Sequence, residues 1–428
     1  MKKLIVFLII SITLSSCDNI PKEKTNLSLN EFIYFTMKDN YLWYDKIPSL
    51  NYNNYSTPEA LIDALMYKKI DKWSYIVKID TKSTNLSENQ YFGYGYGFIW
   101  SNENNKDVLR VNFVFDNSPA YNGGLRRGQK IIKINNYTIP ENPTDDEKNL
   151  VYDEMDKGDS ISFVIVDITN NQKNISLSKG TVTQNIVLYK NIYYKGDKRI
   201  GYLVYYQFTD FSETELIDTF GYFKDNGVNE IIIDLRYNGG GSVDVCSKFA
   251  NLLAGYNFYG KIFEKMVSND RRLQNTINIF LKKETNSINL KRIFFITTNQ
   301  SASASEALIN GLKPFMSVKL IGGKTHGKPV GMAGQLYKDY LFFPITFRGY
   351  NANDEGDFFD GIPVDKEAAD DVKISFGDES DDCLKQALYY IENSSFSPNL
   401  IQRDIYSNKI IQNKPFEYKN YNKFLNSF

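Results

Sequence analysis

The sequence predicts an α/β core preceded by a mainly β domain and a small helical region, and three observations predict it. From Ile200 onward, short apolar runs alternate with segments whose apolar residues recur at helical spacing. Between about 88 and 182 the pattern changes to short strands separated by glycine-bearing turns. Ahead of both, residues 28–85 carry helix signals.

The first seventeen residues read as an export signal rather than as fold. Lys2-Lys3 precedes an apolar run from Leu4 to Leu14, too short to span a membrane as a mature helix, and small residues follow it. Leu14-Ser15-Ser16-Cys17 resembles the bacterial lipobox, in which the cysteine is lipidated and becomes the mature amino terminus. The expectation is a lipoprotein held at the bacterial cell envelope through Cys17, since each buried CH₂ of an acyl chain contributes about 0.8 kcal/mol. Residues 18–27 are a polar tether.

In the helical region the clearest element is Thr57-Pro58-Glu59-Ala60-Leu61-Ile62-Asp63-Ala64-Leu65, with a capping Thr, Pro at the first helical position, and Leu61 and Leu65 on one face. The β-rich stretch opens with Gly95-Tyr96-Gly97-Phe98 running into Ile99-Trp100. It continues through Ser118-Pro119-Ala120 to Gly124-Leu125-Arg126-Arg127-Gly128-Gln129 and the apolar run after it.

The core begins with the strand Ile200-Gly201-Tyr202-Leu203-Val204. Ser212-Glu213-Thr214-Glu215 has the form of a capping box, opening a helix that ends near Gly227. Ile231 to Arg236 is a second buried strand, followed by the turn Asn238-Gly239-Gly240-Gly241 and a helix from about Ser242 to Leu253. The order repeats with a strand at 292–298, the turn Ser301-Ala302-Ser303-Ala304-Ser305-Glu306, a helix, and the strand Val318-Lys319-Leu320-Ile321. A helix from Asp381 to Glu392 closes the core, and 393–428 read as a polar tail.

Composition excludes several functions. Lys plus Arg is 50 and Asp plus Glu is 51, so a net charge of −1 gives no reason to expect a nucleic-acid partner. The single histidine, His326, rules out a His-rich zinc site. The glycine turn lacks the Gly-Lys-Ser/Thr ending of a phosphate loop, and the acidic stretch Asn353 to Asp357 reads as a solvated loop, so neither cofactor nor metal is expected. Cys246 and Cys383 read as buried thiols, because nothing in the sequence places them within bonding distance. Asp234 and Arg236, ending an apolar strand, read as a structural pair.

In an alternating α/β fold, function gathers at the carboxyl ends of the strands, where both turns fall. A serine at a strand-to-helix turn is exposed at the positive end of a helix dipole, where acyl-transfer chemistry needs a nucleophile. It also needs a base and an oxyanion site. Lys324, His326 and Lys328 on the loop after the next strand are the candidates, and spacing leaves all three open.

Asp234 to Gly241, Ser301 to Glu306 and Gly327-Lys328 stand in the order and spacing of the carboxyl-terminal processing (tail-specific) peptidases, serine peptidases related to the tricorn core. The resemblance implies a crotonase-like core over 190–392 and a PDZ domain over 88–182, with Gly95, Tyr96, Gly97 and Phe98 as its carboxylate-binding loop. It implies Ser303 as nucleophile, Lys328, 25 positions on, as general base, and the N–H groups of Gly241 and Ala304 as oxyanion hole. The expected partners are polypeptides captured by their carboxyl ends. One departure is Met332, where many members place a glutamine that orients the lysine. The competing expectation is a catalytically decayed peptide- or ligand-binding lipoprotein on the same scaffold.

Overall fold

The computed structural model describes residues 27–78 and 87–398. The signal segment with Cys17, almost all of the tether and most of the tail lie outside the described residues.

Helix α1 (Leu29–Asn40) starts at a capping box between Ser28 and Glu31, and α2 (Pro58–Leu65) starts at Thr57, whose hydroxyl accepts from Ala60 N–H. Both turn their apolar faces inward, burying Ile33, Met37, Leu61, Ile62 and Leu65. The region is not wholly helical. Strand β1 (Tyr75–Lys78) pairs antiparallel with residues 340–343 of the core, so the segment is stitched to the core by backbone hydrogen bonds.

The β-rich stretch holds β2 (Gln90–Gly93), β3 (Tyr96–Glu103), β4 (Lys106–Val114), α3 (Pro119–Asn122), β5 (Lys130–Ile134), β6 (Tyr137–Thr138), α4 (Asp145–Asp156), β7 (Ser160–Val166), β8 (Gln172–Ser178) and β9 (Gly180–Thr183). Its main sheet runs β3-β4-β5-β7-β8, with β3 at one edge and β6 paired to β5. Tyr152 of α4 stacks on Phe98 of β3, with ring centroids 5.6 Å apart.

The core comprises β10 (Val187–Lys195), β11 (Lys198–Tyr205), α5 (Glu213–Asp225), β12 (Glu230–Asp234), α6 (Val243–Ala254), β13 (Ile262–Ser268), β14 (Ile277–Phe280), β15 (Arg292–Thr297), α7 (Ala304–Leu312) and β16 (Ser317–Gly322). It continues with β17 (Val330–Met332), β18 (Gln335–Tyr337), β19 (Tyr340–Phe343), β20 (Ile345–Tyr350), β21 (Lys366–Glu367) and α8 (Asp382–Asn393). The central sheet runs β10-β11-β12-β15-β16-β21, and every pairing from β11 onward is parallel. Alternating residues enter opposite layers, as the pleat requires. Ile231, Ile233 and Phe295 face α5, α6 and α7, while Ile232, Phe294 and Ile296 face α8. Cys246 and Cys383 fall in these opposite layers as free, buried thiols. A smaller sheet, β14-β13-β20-β17, stands beside α7, and β1-β19-β18 stands beside the amino-terminal helices.

The capping box expected at Ser212 does not form. Its hydroxyl donates to Thr209 O at 2.5 Å and pairs with Tyr205 Oη, while Glu215 accepts from Ile186 N–H at 2.8 Å. Ser212 turns back to the residues that precede the helix, and Glu215 is drawn to a partner 29 residues away in the chain.

Arg236 is fully buried and holds Asp234, Asp370 and Asp381 at 2.7–2.9 Å, with Tyr202 donating to Asp234 at 2.7 Å. Removing the guanidinium leaves Asp234 and Asp381 buried without their cation and Asp370 with only the longer contact to Arg127. Arg236→Met is expected to cost about 3–5 kcal/mol, measured by denaturant unfolding; a loss below about 1 kcal/mol would show the network to be dispensable for stability.

Candidate active site

Because β12, β15 and β16 are parallel neighbours, their carboxyl ends open on one edge of the sheet and deliver three loops side by side. The first is the glycine turn, the second the serine turn, the third the loop carrying Lys328.

Asn238, fully buried, fastens the first two. Its carbonyl accepts from Ala302 N at 3.1 Å and Ser305 Oγ at 2.9 Å, and its side chain donates to Tyr205 O and accepts from Gly240 N. Ser301 Oγ donates to Leu235 O at 2.7 Å, and Thr298 Oγ1 donates to Arg236 O. The two outer serines of the repeat are thereby spent on structure. A side chain at Gly240 (φ +104°) would place Cβ 2.8 Å from Ser303 Cβ and 3.0 Å from Ala304 N, so only glycine lets the turns meet.

Ser303 has φ +55° and ψ −114°, a conformation that costs a non-glycine residue about 1–3 kcal/mol and persists only where the surroundings impose it. It presents the side chain at the start of α7. Ala304, the first residue of that helix, has no intrahelical acceptor for its N–H. Phe208 N–H donates to Gly240 O and Ser242 N–H donates to Phe208 O, the pattern of a parallel bridge that directs Gly241 N–H away from Phe208. Neither Gly241 nor Ala304 donates its N–H to an acceptor among the described residues.

Glu306, fully buried, joins the serine turn to the base loop. One carboxylate oxygen accepts from Thr325 Oγ1 and Gly327 N, both at 2.6 Å; the other accepts from Ser303 N at 3.0 Å and Lys328 N at 2.8 Å. Burial pushes its pKa up, and these four bonds oppose that rise. Sequence reasoning read Glu306 only as the end of the serine motif. Its place three residues into the helix was the available signal, since a carboxylate there reaches back to the cap.

Lys328 lines the same pocket as Ser303 and Ala304. Burial lowers its pKa to about 8, against the raising influence of Asp71 and then Glu306. No carboxylate among the described residues pairs with its ammonium. His326 is engaged at both ring nitrogens: Trp73 Nε1–H donates to Nε2 at 3.4 Å, and Nδ1 lies 3.3 Å from Asn299 O. Lys324 is exposed. Of the three candidate bases, only Lys328 shares the pocket with Ser303.

Asp71 and Trp73 come from the amino-terminal region, which the sequence left without chemistry. Asp71 is buried and accepts from Tyr41 Oη, Ser74 Oγ, Trp73 N and Ser74 N at 2.6–3.1 Å. Met332 lies in β17 opposite Ile345, half-buried against the amino-terminal aromatic residues.

The expected loop Gly95 to Phe98 lies apart from this pocket. Only Gly95, at φ +83°, is a turn residue; Tyr96, Gly97 and Phe98 begin β3 and pair with β4. Cys17 lies outside the described residues. Among the described residues no cluster of His, Cys, Asp or Glu could hold a metal ion, and no helix is long and apolar enough to cross a membrane.

Residues 199–368 match the model of Peptidase family S41, and residues 28–75 match that of the Peptidase S41 N-terminal domain. A Staphylococcus aureus (strain MRSA252) protein classed as a CtpA-like serine protease is 26% identical over 335 residues, 76% of this chain and 61% of that one. A counterpart in Staphylococcus epidermidis is 24% identical over 329 residues, 76% of this chain and 62% of that one. The chain thus spans about three fifths of the length of the curated relatives it matches. Among solved structures, a Bacteroides fragilis protein assigned to the S41 proteases superposes with TM-score 0.69 at 23% identity, covering 86% of this chain and 99% of that one. The photosystem II D1 C-terminal processing protease superposes with TM-score 0.50 at 16% identity, covering 84% and 97%. At these identities the two structures establish the fold.

Glu306→Gln replaces two acceptor oxygens by one and turns an amide donor toward backbone N–H groups. The rate of Ser303 labelling by a fluorophosphonate probe is expected to fall about tenfold or more, with the far-ultraviolet circular dichroism unchanged. Labelling at the parent rate would show that Glu306 does not position the serine.

Proposed function

The chain belongs to peptidase family S41, and from that premise we propose that it is a serine endopeptidase working through Ser303 and Lys328. One observation carries the reading. A serine in a strained conformation, the unengaged N–H group of Ala304 and an unpaired lysine line a single pocket, and the glycine turn that carries Gly241 packs against the serine turn.

In the proposed sequence, neutral Lys328 takes the proton from Ser303 Oγ as the oxygen attacks the scissile carbonyl. The N–H groups of Gly241 and Ala304 receive the negative charge that develops on the carbonyl oxygen. The Lys328 ammonium then returns its proton to the departing amine, and water releases the acyl group by the same steps in reverse. No cofactor enters. Met332 gives the decayed-scaffold reading little support, because the base loop is fixed by Glu306 through the backbone rather than by the side chain at 332.

The β-rich stretch is proposed to act as a PDZ domain. Edge strand β3, with α4 beside it, offers the free strand edge that a peptide's carboxyl end would extend, and Gly95 opens the strand. The substrates proposed are exported polypeptides. Anchoring at the bacterial envelope through lipidated Cys17 rests on the amino-terminal sequence alone.

Three outcomes follow. The chain from Asp18 onward is expected to cleave an unfolded protein, and Ser303→Ala and Lys328→Ala each to lower the rate by about 10³-fold or more; survival of activity in Lys328→Ala would return His326 to consideration. Because an ammonium cannot accept a proton, kcat/KM is expected to rise as pH increases through about 8, the value to which burial lowers Lys328 with Asp71 and Glu306 beside it. A flat profile between pH 7 and 9 would remove Lys328 as the base. Finally, amidating the carboxyl end of a peptide substrate is expected to raise KM with kcat little changed, and an unaltered KM would dismiss carboxylate capture.

A further inference from the structure

Beside Ser303 the pocket continues inward between α6, α7, β13 and β20, with walls formed by Val243, Phe263, Ala307 and Phe347. One carboxyl group stands among these apolar walls, that of Glu264 on β13, which is only 7% exposed. Its head group lies over Gly349 of β20: a Cβ at that position would come within 2.5 Å of Glu264 Oε1. The missing side chain at 349 is what gives the carboxyl its room.

Glu264 has no hydrogen-bond or ion-pair partner among the described residues, and its Oε2 is fully buried in that condition. The neighbouring side-chain amides are committed elsewhere. Asn310 Nδ2 donates to Glu355 O, and Asn351 Nδ2 donates to Asn310 O and Glu355 Oε2. The adjoining cations on the same two strands, Lys265 and Arg348, pair with Asp354 and Asp357. Cys246 Sγ, also in the pocket, donates to Ala304 O. Burial raises the pKa of Glu264 to about 7.

A buried carboxyl without a partner is costly, and an apolar residue of similar volume would serve the core better. Its position suits a ligand instead. Apolar walls fit an aliphatic stem, and two unengaged oxygens at the inner end fit a group with several donors. An ammonium brings three.

We infer that Glu264 is the specificity residue of this pocket and receives the terminal ammonium of a lysine side chain, carried by the residue whose carbonyl Ser303 attacks. The inference rests on the peptidase reading and adds to it a substrate class, peptide bonds that follow lysine.

The test uses two internally quenched peptides, amidated at the carboxyl end to keep them off the β-rich domain. They are identical except for lysine or norleucine before the scissile bond. The parent protein is expected to cleave the lysine peptide with a kcat/KM about tenfold or more above that of the norleucine peptide. Glu264→Gln, close to isosteric, is expected to bring the two within about twofold, with its melting temperature recorded to confirm folding. Equal or better cleavage after norleucine, or an unchanged ratio in Glu264→Gln, overturns the assignment. Binding of the same peptides to Ser303→Ala, with and without Glu264→Gln, separates the two readings. Cleavage without preference leaves the peptidase standing and removes the lysine pocket. A Glu264-dependent lysine preference in binding, with no cleavage by the parent, keeps the pocket and removes the peptidase. No preference in either assay overturns the pocket outright.

Discussion

The carboxylate of Glu306 is the contact on which the rest of the site depends. It sits in the first turn of α7, is excluded from water, and accepts four hydrogen bonds from two chain segments that have no covalent reason to stay together. Burying a carboxylate is unfavourable, but bonds to a charged acceptor are worth about 1.5–3 kcal/mol each, and the helix amino terminus favours the negative charge. The backbone N–H groups of Ser303 and Lys328 share one of its oxygens. Ser303 and Lys328 are therefore not positioned independently: a shift of one loop breaks a bond that the other also relies on. This over-determination is what allows Ser303 to remain at a positive φ that a free loop would relax.

A second buried network carries the glycine turn. Arg236, just past the end of β12, joins the neighbouring Asp234 to Asp370 and Asp381 from distant parts of the chain, and its carbonyl accepts from Thr298. Tyr237, the next residue, donates to Asp370 at 2.7 Å and accepts from Arg127 of the β-rich stretch at 3.0 Å. Arg127 also donates to Ile374 O and stacks on Phe376. The β-rich stretch therefore touches the core at the root of the turn that presents Gly241. A charged hub is poor as pure stabilisation, because desolvation consumes much of its Coulombic gain. Its value here is geometric, since bidentate and directional bonds fix the register of the segments that meet at the turn.

Much of this was legible in the sequence, for identifiable reasons. The parallel strands are wholly apolar runs because both faces are covered, and the helices announce themselves by caps such as Thr57-Pro58 and Ser242. The glycine turn, the serine turn and the loop after the next strand fall at the carboxyl ends of those strands, which is why alternation directed attention there; the choice of residues 303, 328, 241 and 304 within them came from the family resemblance. What escaped were relationships that only folding creates. Ser212 and Glu215 have the letters of a capping box, yet Ser212 bonds the turn before the helix and Glu215 bonds Ile186 N–H. The strand at 75–78 is four residues long and is stabilised by pairing with β19, not by its own propensity. Glu264 and Asp71 carry no motif, and neither sits near Ser303 or Lys328 in the chain.

Asp71 shows why the amino-terminal region belongs to the site rather than beside it. The electrostatic setting of Lys328 is a contest between burial, which favours the neutral amine, and two carboxylates, which favour the ammonium. Burial without opposition would weaken the hold of Lys328 on a proton further; unopposed carboxylates would hold it charged. Glu306 is part of the core, but Asp71 arrives with a loop that also brings Trp73 against His326 and Ser74 against Ile345 N–H at 3.0 Å. Ile345 is the residue that pairs across the sheet with Met332. Met332 is thus an apolar side chain packed under the same loop that supplies a charge to the lysine's surroundings. Residues 28–78 bury their own aromatic face against β17, β19 and β20 in doing so, so the packing that holds this region to the core and the electrostatic setting of Lys328 are consequences of one interface.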